Sequence, residues 1–160
     1  MYETRIDLKP KLRTEAIVLL QAQLAAAVDL FTQVKQAHWN VKGPTFIALH
    51  ELFDSVAEIV EEQGDSLAER ITALGGRADG TVRVAAASSA LAEYPLAAEG
   101  GPAHVTAVAD RLAAFGATAR ERIDRAAALG DAGTADLFTE ISREIDKQLW
   151  FVEAHLAARD

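Results

Sequence analysis

Residues 45–74 read TFIALHELFDSVAEIVEEQGDSLAERITAL. Leu49, Leu52, Phe53, Val56, Ile59, Val60, Leu67 and Ile71 recur at steps of three and four, the apolar stripe of an amphipathic helix. Gly75-Gly76 follows as a helix stop. The same period runs upstream over 11–40, through Ile17, Leu20, Leu24, Val28, Phe31 and Val34. Downstream, 102–129 carries Val105, Val108, Leu112, Phe115, Ile123 and Leu129, with Pro102 in the first turn where proline is tolerated. A fourth stripe over 134–158 holds Leu137, Phe138, Ile141, Ile145, Leu149, Val152 and Leu156. Alanine, the strongest helix former, supplies 33 of the 160 residues. No stretch alternates at period two, so no sheet is expected.

The connections between these stripes set the topology. Short, glycine-containing breaks at Gly43-Pro44 and Gly130 to Gly133 join the first helix to the second and the third to the fourth. Between the second and third lie residues 76–101, too many for a hairpin turn. Four helices with one long crossover predict an all-α, ferritin-like four-helix bundle. A short helix in the crossover is expected around Ser89–Glu93. The chain reads as one domain, 1–160, with a short N-terminal tail over 1–12 and no internal repeat.

Composition narrows the chemistry. There is no cysteine, which excludes disulfide frameworks, thiolate metal sites and cysteine nucleophiles. Sixteen basic and 24 acidic residues give a formal net charge of -8, which disfavours a nucleic-acid-binding body and suits a protein that gathers cations. The start, MYETRIDLKP, is not a signal peptide and no run approaches 18 uninterrupted apolar residues, so the expected setting is the cytoplasm with no membrane partner. There is no P-loop, dinucleotide fingerprint or Gly-x-Ser-x-Gly. There is also no Glu-x-x-His, the motif that in-bundle di-iron sites use.

The second stripe carries a possible metal set. His50 and Asp54 share a helix face, Asp65 returns to nearly that face three turns on, and Glu69 follows at four. Imidazole and carboxylate suit ferrous iron. Asp54 and Asp65 are separated by roughly 16 Å along one helix and cannot hold one ion within a single chain. However, His50 and Glu69, like Asp54 and Asp65, are equidistant from a point between Ile59 and Val60. Two copies of this helix, antiparallel about a two-fold axis there, would build two identical sites shared between subunits. The alternative on spacing alone is a solvated charged face, continued by Glu58, Glu61 and Glu62.

A wider set of residues carries a resemblance. His38-Trp39-Asn40-Val41-Lys42-Gly43, Phe46, Leu49-His50, Phe53-Asp54, Asp65 and Ala68-Glu69-Arg70 resemble the signature of the Dps family, the DNA-binding proteins from starved cells, or miniature ferritins. The resemblance continues through Tyr94-Pro95-Leu96, Thr134-Ala135-Asp136, Asp146-Lys147 and Leu149-Trp150-Phe151. It implies a homo-dodecameric hollow shell that oxidises ferrous iron at two-fold interfaces, with hydrogen peroxide preferred over dioxygen, and stores the ferric product as mineral. It implies that His38, His50 and Asp54 come from one subunit, and Asp65 and Glu69 from its partner. Trp39, beside His38, would either accept a stray oxidising equivalent or pack an interface. Asp131, Asp136 and Glu140 would line a negatively charged ion pore at a three-fold axis; their alternative is stabilisation of a helix N-terminus. His104 and His155 are read as surface or helix-end residues.

Two rival functions remain at this point: a DNA-compacting stress protein whose iron chemistry is secondary, and an inert bundle. Weak or absent DNA binding at neutral pH is expected, although the family's name points to the nucleoid. Twelve chains at -8 each carry about -96, and a polyanion needs basic arms to hold DNA. The tail offers Arg5, Lys9, Lys11 and Arg13 against Glu3 and Asp7, and the carboxy end, 157–160, adds no basic extension.

Overall fold

The structure is a computed structural model that describes residues 1–157. The expectation about the carboxy end lies outside the described residues beyond Ala157. Five α-helices form in order: α1 (Pro10–Asn40), α2 (Phe46–Ala73), α3 (Val82–Ser88), α4 (Gly100–Ala128) and α5 (Ala132–Glu153). A 3₁₀ turn, Ala154–Leu156, ends the bundle, so the fourth stripe stops short of its expected end. There is no strand among the described residues.

The apolar stripes meet in one core. Leu20, Leu24, Leu30 and Val34 of α1 pack with Phe53, Val56, Val60, Leu67 and Ile71 of α2, with Leu112 and Phe115 of α4, and with Phe138, Ile141 and Ile145 of α5. Every one of these side chains is buried, and each large one contributes about 1.5–3 kcal/mol of transfer free energy. Helix α1 is apolar enough to cross a bilayer by composition and length, but its apolar face is spent on this core. The resulting fold is the ferritin-like four-helix bundle, with a crossover that carries a short helix.

Hydrogen bonds trace the path of the crossover along α1. About three turns into α1, Gln21 exchanges bonds with Asp79, donating to its carbonyl at 2.7 Å and accepting from its amide at 3.0 Å. Further along, Gln33 donates to the Ala92 carbonyl at 3.1 Å. At the far end, Tyr94 meets His104 of α4. The crossover therefore carries the chain back up the bundle, so that α4 begins beside the C-terminus of α1 and runs antiparallel to it. Its helix is Val82–Ser88, earlier than the expected Ser89–Glu93. Thr81 caps the helix, and Ser89 turns extended with its hydroxyl accepting from the Leu91 amide.

The tail is shorter than expected because Pro10 starts α1 from the first helical turn. It is also held down. The Tyr2 amide donates to the Gly75 carbonyl at 2.9 Å, and the Tyr2 hydroxyl donates to the Thr72 carbonyl. Gly75 has φ +90, and a Cβ there would come within 2.6 Å of the Tyr2 carbonyl oxygen, so only glycine permits the contact. Arg13, also buried, donates to the Leu74 carbonyl at 3.1 Å.

Two buried polar contacts fix the helix ends. Asp131 caps α5, accepting from the Thr134 amide at 3.0 Å and from Arg70 of α2 at 2.7 Å. His104 is expected at the surface or at a helix end; it lies near the head of α4, but it is not at the surface, being only 2% exposed. Its Nδ1 accepts from the Tyr94 hydroxyl at 2.6 Å. Burial pushes the imidazole pKa below its usual 6.5, opposed by a hydrogen bond to the Asn40 backbone. Burial likewise pushes the Tyr94 hydroxyl up to about 12, against the nearby charge of Arg111.

Two predictions follow from these contacts. Asp131→Ala should lower unfolding stability by about 2–4 kcal/mol, because it removes a cap and leaves Arg70 unpaired. Asp136→Asn, at an exposed position, should stay within about 0.5 kcal/mol. For His104, the folded state keeps the ring neutral while the unfolded chain takes up a proton as pH falls through 6.5. Stability is therefore lost below that pH. Denaturant midpoints measured between neutral pH and about pH 5.5 should fall in the wild type and fall less in His104→Gln. Parallel curves would show that the buried imidazole is not responsible.

Candidate metal centre

The last turns of α1 and the first of α2 bring together His38, His50 and Asp54 on one face of the α1–α2 hairpin. The two imidazoles clamp each other. His38 Nδ1 donates to the His50 carbonyl at 2.8 Å, and His50 Nδ1 donates to the His38 carbonyl at 2.9 Å. A carbonyl only accepts, so both rings carry their proton on Nδ1, which leaves each Nε2 lone pair free as a metal donor. The His38 carbonyl is one of the last in α1, so this bond also satisfies a group with no partner inside its own helix. The rings stack with centroids 3.7 Å apart and planes at 23°, and Phe46 covers His50 at 5.1 Å. His38 is 8% exposed.

Asp54, one turn beyond His50, places Oδ1 3.8 Å from His38 Nδ1, beyond a hydrogen bond. Its nearest partner is a residue that the sequence reading did not single out. Lys35 Nζ lies 2.5 Å from Asp54 Oδ1. That hydrogen bond is the main cause holding the Asp54 carboxyl below the usual carboxylate range; desolvation opposes it and the charge of Lys35 adds to it. Lys35 Nζ is also 5.9 Å from the centre of the Trp39 ring, and Trp39 is 66% exposed. Lys35 and Asp54 are 19 residues apart on different helices, so only the rotation of the two helices brings them together.

Asp65 and Glu69 sit far along α2, exposed and away from the imidazoles. Asp65 lies in a cleft of about 340 Å³ in the α1–α2 groove, with Leu24, Val28 and Phe31 of α1 and Gly64 and Ala68 of α2. Lys35 follows Phe31 by one turn and His38 follows it by nearly two, so Phe31 shares its stripe of α1 with Lys35 and His38. Among the described residues, no three histidine or acidic side chains are placed to hold an ion within one chain. Imidazole nitrogen and carboxylate are donor types that suit ferrous iron, but one chain does not assemble them into a site.

The acidic set at the α4–α5 turn divides. Asp131 is buried and engaged with Thr134 and Arg70, the arrangement of a helix cap. Asp136 and Glu140 are exposed, one turn apart on α5. Glu140 borders a cleft of about 620 Å³ between α2 and α5 with Glu62, Gln63 and Glu144. His155 is exposed in the terminal 3₁₀ turn.

Comparison with known proteins agrees with this architecture. The family model described as a ferritin-like domain matches residues 17–159. The DNA protection during starvation protein of Agrobacterium fabrum is 39% identical over 155 residues, covering 97% of this chain and 96% of the relative. That of Mycolicibacterium smegmatis is 34% identical over 149 residues, covering 93% and 81%. The solved structure of Mycobacterium smegmatis Dps superposes with a TM-score of 0.93 at 32% identity, over 98% of this chain and 96% of that one. DpsC from Streptomyces coelicolor gives 0.94 at 29% identity, over 99% and 93%. A histidine-clamped α1–α2 hairpin on a bundle of this topology, with relatives matched end to end, identifies the chain as a member of the Dps family, the miniature ferritins with a ferritin-like domain.

Proposed function

We propose that this protein is an iron-oxidising and iron-storing cage of twelve subunits, with ferroxidase centres at its two-fold interfaces. The observation that carries this reading is the reciprocal histidine clamp, which leaves two Nε2 donors free on the hairpin that also carries Asp54. The incomplete donor set supports a centre completed by a second copy. Asp65 lies on the same face of the hairpin as Asp54, and the symmetry of α2 about Ile59–Val60 pairs His50 with Glu69 of the partner subunit and Asp54 with Asp65 of the partner subunit. The apolar lining of the cleft around Asp65 suits a face that a second copy covers.

Ferrous iron is the substrate. The carboxylates offset its charge and favour the ferric product, and the small number of protein donors leaves room for an oxidant. Two ferrous ions and one hydrogen peroxide, with two protons, yield two ferric ions and two waters, so both electrons are used and no hydroxyl radical is released. The ferric product is stored as mineral inside the shell, which protects a cytoplasm under oxidative stress. Trp39, exposed beside the centre, is available either to take a stray oxidising equivalent or to pack against the neighbour. Asp136 and Glu140 are the free carboxylates for an ion pore, where a ring of like charge would concentrate cations. Asp131 is committed to its cap and supports that pore by holding the α5 terminus.

His50→Ala and Asp65→Ala should each slow rapid ferrous oxidation in stopped-flow measurements, because each removes one side of every shared centre. Shells mixed from the two variants should recover part of the rate, since some interfaces then pair intact halves. Unchanged rates in both single variants would remove the site assignment. Absence of rescue in verified mixed shells would remove the sharing.

DNA binding is proposed to be weak or absent at neutral pH. The tail that would serve as a basic arm is pinned by Tyr2 against Gly75, and Ile6 and Leu8 pack on the core. Of the four cations expected of it, Lys11 and Arg13 belong to α1, and Arg13 is buried. In a gel-shift titration of the intact shell against plasmid DNA at near-physiological salt, no retardation should appear at sub-micromolar protein. Retardation there would favour the DNA-compacting reading.

A further inference from the structure

The chain has no cysteine and its one methionine is Met1, so the side chains that oxidants attack first are scarce. Two tryptophans and two tyrosines remain as one-electron donors. Trp39 and Trp150 are exposed. The two tyrosines differ in what their hydroxyls meet. The Tyr2 hydroxyl donates to the Thr72 carbonyl, which is too weak a base to take the proton. The Tyr94 hydroxyl donates to His104 Nδ1 at 2.6 Å. His104 also bonds the Asn40 backbone carbonyl through its other nitrogen, so Nε2 carries the ring proton and Nδ1 keeps a lone pair aimed at the phenol. The two rings lie at 19° with centroids 6.2 Å apart. Arg111 donates to the carbonyl of the neighbouring Glu93 and to Gln33 Oε1 at 3.3 Å, which holds the crossover where it delivers Tyr94.

We propose that Tyr94 and His104 form a redox-active pair that quenches oxidising radicals, the phenol giving up one electron as its proton passes to His104 Nδ1. A phenol that loses an electron alone becomes a strongly acidic cation, so a base already hydrogen-bonded to it lowers the cost of the step. The Tyr94 O–H bond breaks, an N–H bond forms on His104, and a small inorganic radical is reduced to its anion. A neutral phenoxyl is left beside an imidazolium, whose Nε2–H the Asn40 carbonyl stabilises. Burial holds the phenol pKa up at about 12, so at neutral pH the proton leaves only with the electron. The pair borders a cleft of about 440 Å³ with Gln36, Lys42 and Glu99, through which a small radical reaches it. Asn40 directly follows Trp39, so a hole on that exposed indole has a bonded route to Tyr94 through the Asn40 carbonyl and His104. A ferrous ion restores the pair: it gives one electron to the phenoxyl and becomes ferric, and the proton returns from Nδ1. Single oxidising equivalents that two-electron peroxide chemistry does not consume are drained in this way, and the pair does not depend on the shared iron centre.

Pulse radiolysis of the iron-free protein with azide radicals, each of which takes one electron and becomes azide, tests the pair without iron turnover. The wild type should yield a tyrosyl radical, read by its absorption and by electron paramagnetic resonance of frozen samples. Tyr94→Phe should lose most of that signal and Tyr2→Phe little of it. His104→Gln, whose amide accepts the hydrogen bond but not the proton, should slow tyrosyl formation by about a hundredfold. In Tyr2→Phe, which leaves the pair intact, formation should be slower in heavy water than in water, and this comparison stands even where His104→Gln fails to fold. A tyrosyl signal undiminished in Tyr94→Phe would overturn the proposal. So would formation as fast in a folded His104→Gln as in the wild type, or as fast in heavy water as in water.

Discussion

Two imidazoles, each giving its Nδ1 proton to the other's backbone carbonyl, join the end of α1 to the start of α2. Much else in the molecule is arranged around that exchange. It closes the α1–α2 hairpin, satisfies a carbonyl at a helix terminus, and fixes the tautomer of both rings. It needs α1 and α2 held at a set rotation and distance, which the shared apolar core provides through Leu30 and Val34 on one side and Phe53 and Val56 on the other. It also needs the C-terminus of α1 to be firm. His104 gives that terminus a hydrogen bond to the Asn40 backbone, and Tyr94 anchors His104 from the crossover.

The bundle interior has no part in the proposed chemistry. Several of the polar residues buried there are glutamines, such as Gln23, whose amide donates to the Phe115 carbonyl at 3.3 Å and whose side-chain oxygen accepts from Arg122. Without Glu-x-x-His, the inside of a single bundle offers iron no set of acids and imidazoles. The acids stand instead on the outer face of the α1–α2 hairpin, three turns apart, where one chain cannot close a site and a two-fold pair can. In the proposed centre, assembly and activity are one requirement: a subunit alone would present half of each site.

The long elements were legible in the sequence because their apolar residues repeat at the helical period without interruption, and the unbroken pattern in α2 also exposed the register of His50, Asp54, Asp65 and Glu69. What was hidden depends on contacts between distant segments. The sequence neighbourhood of Lys35 says nothing of Asp54. A helix N-terminus role for Asp131 was open in the sequence, but its ion pair with Arg70, from another helix, was not legible there. His104 sits at a helix start, where histidines are often wet, and only the path of the crossover buries it under Tyr94. The short helix was displaced because alanine and valine at 82–87 outweigh the polar signals that follow, with Thr81 supplying the start.

The central claim is that one centre draws its ligands from two chains. Crystals of the assembled protein grown anaerobically with ferrous iron, measured on both sides of the iron absorption edge, test it most directly. The account predicts anomalous density at the two-fold interface, bounded by His38, His50 and Asp54 of one subunit and by Asp65 of the partner subunit and Glu69 of the partner subunit. Iron held by the imidazoles with no carboxylate from a second chain, or found only within a single bundle, would contradict it.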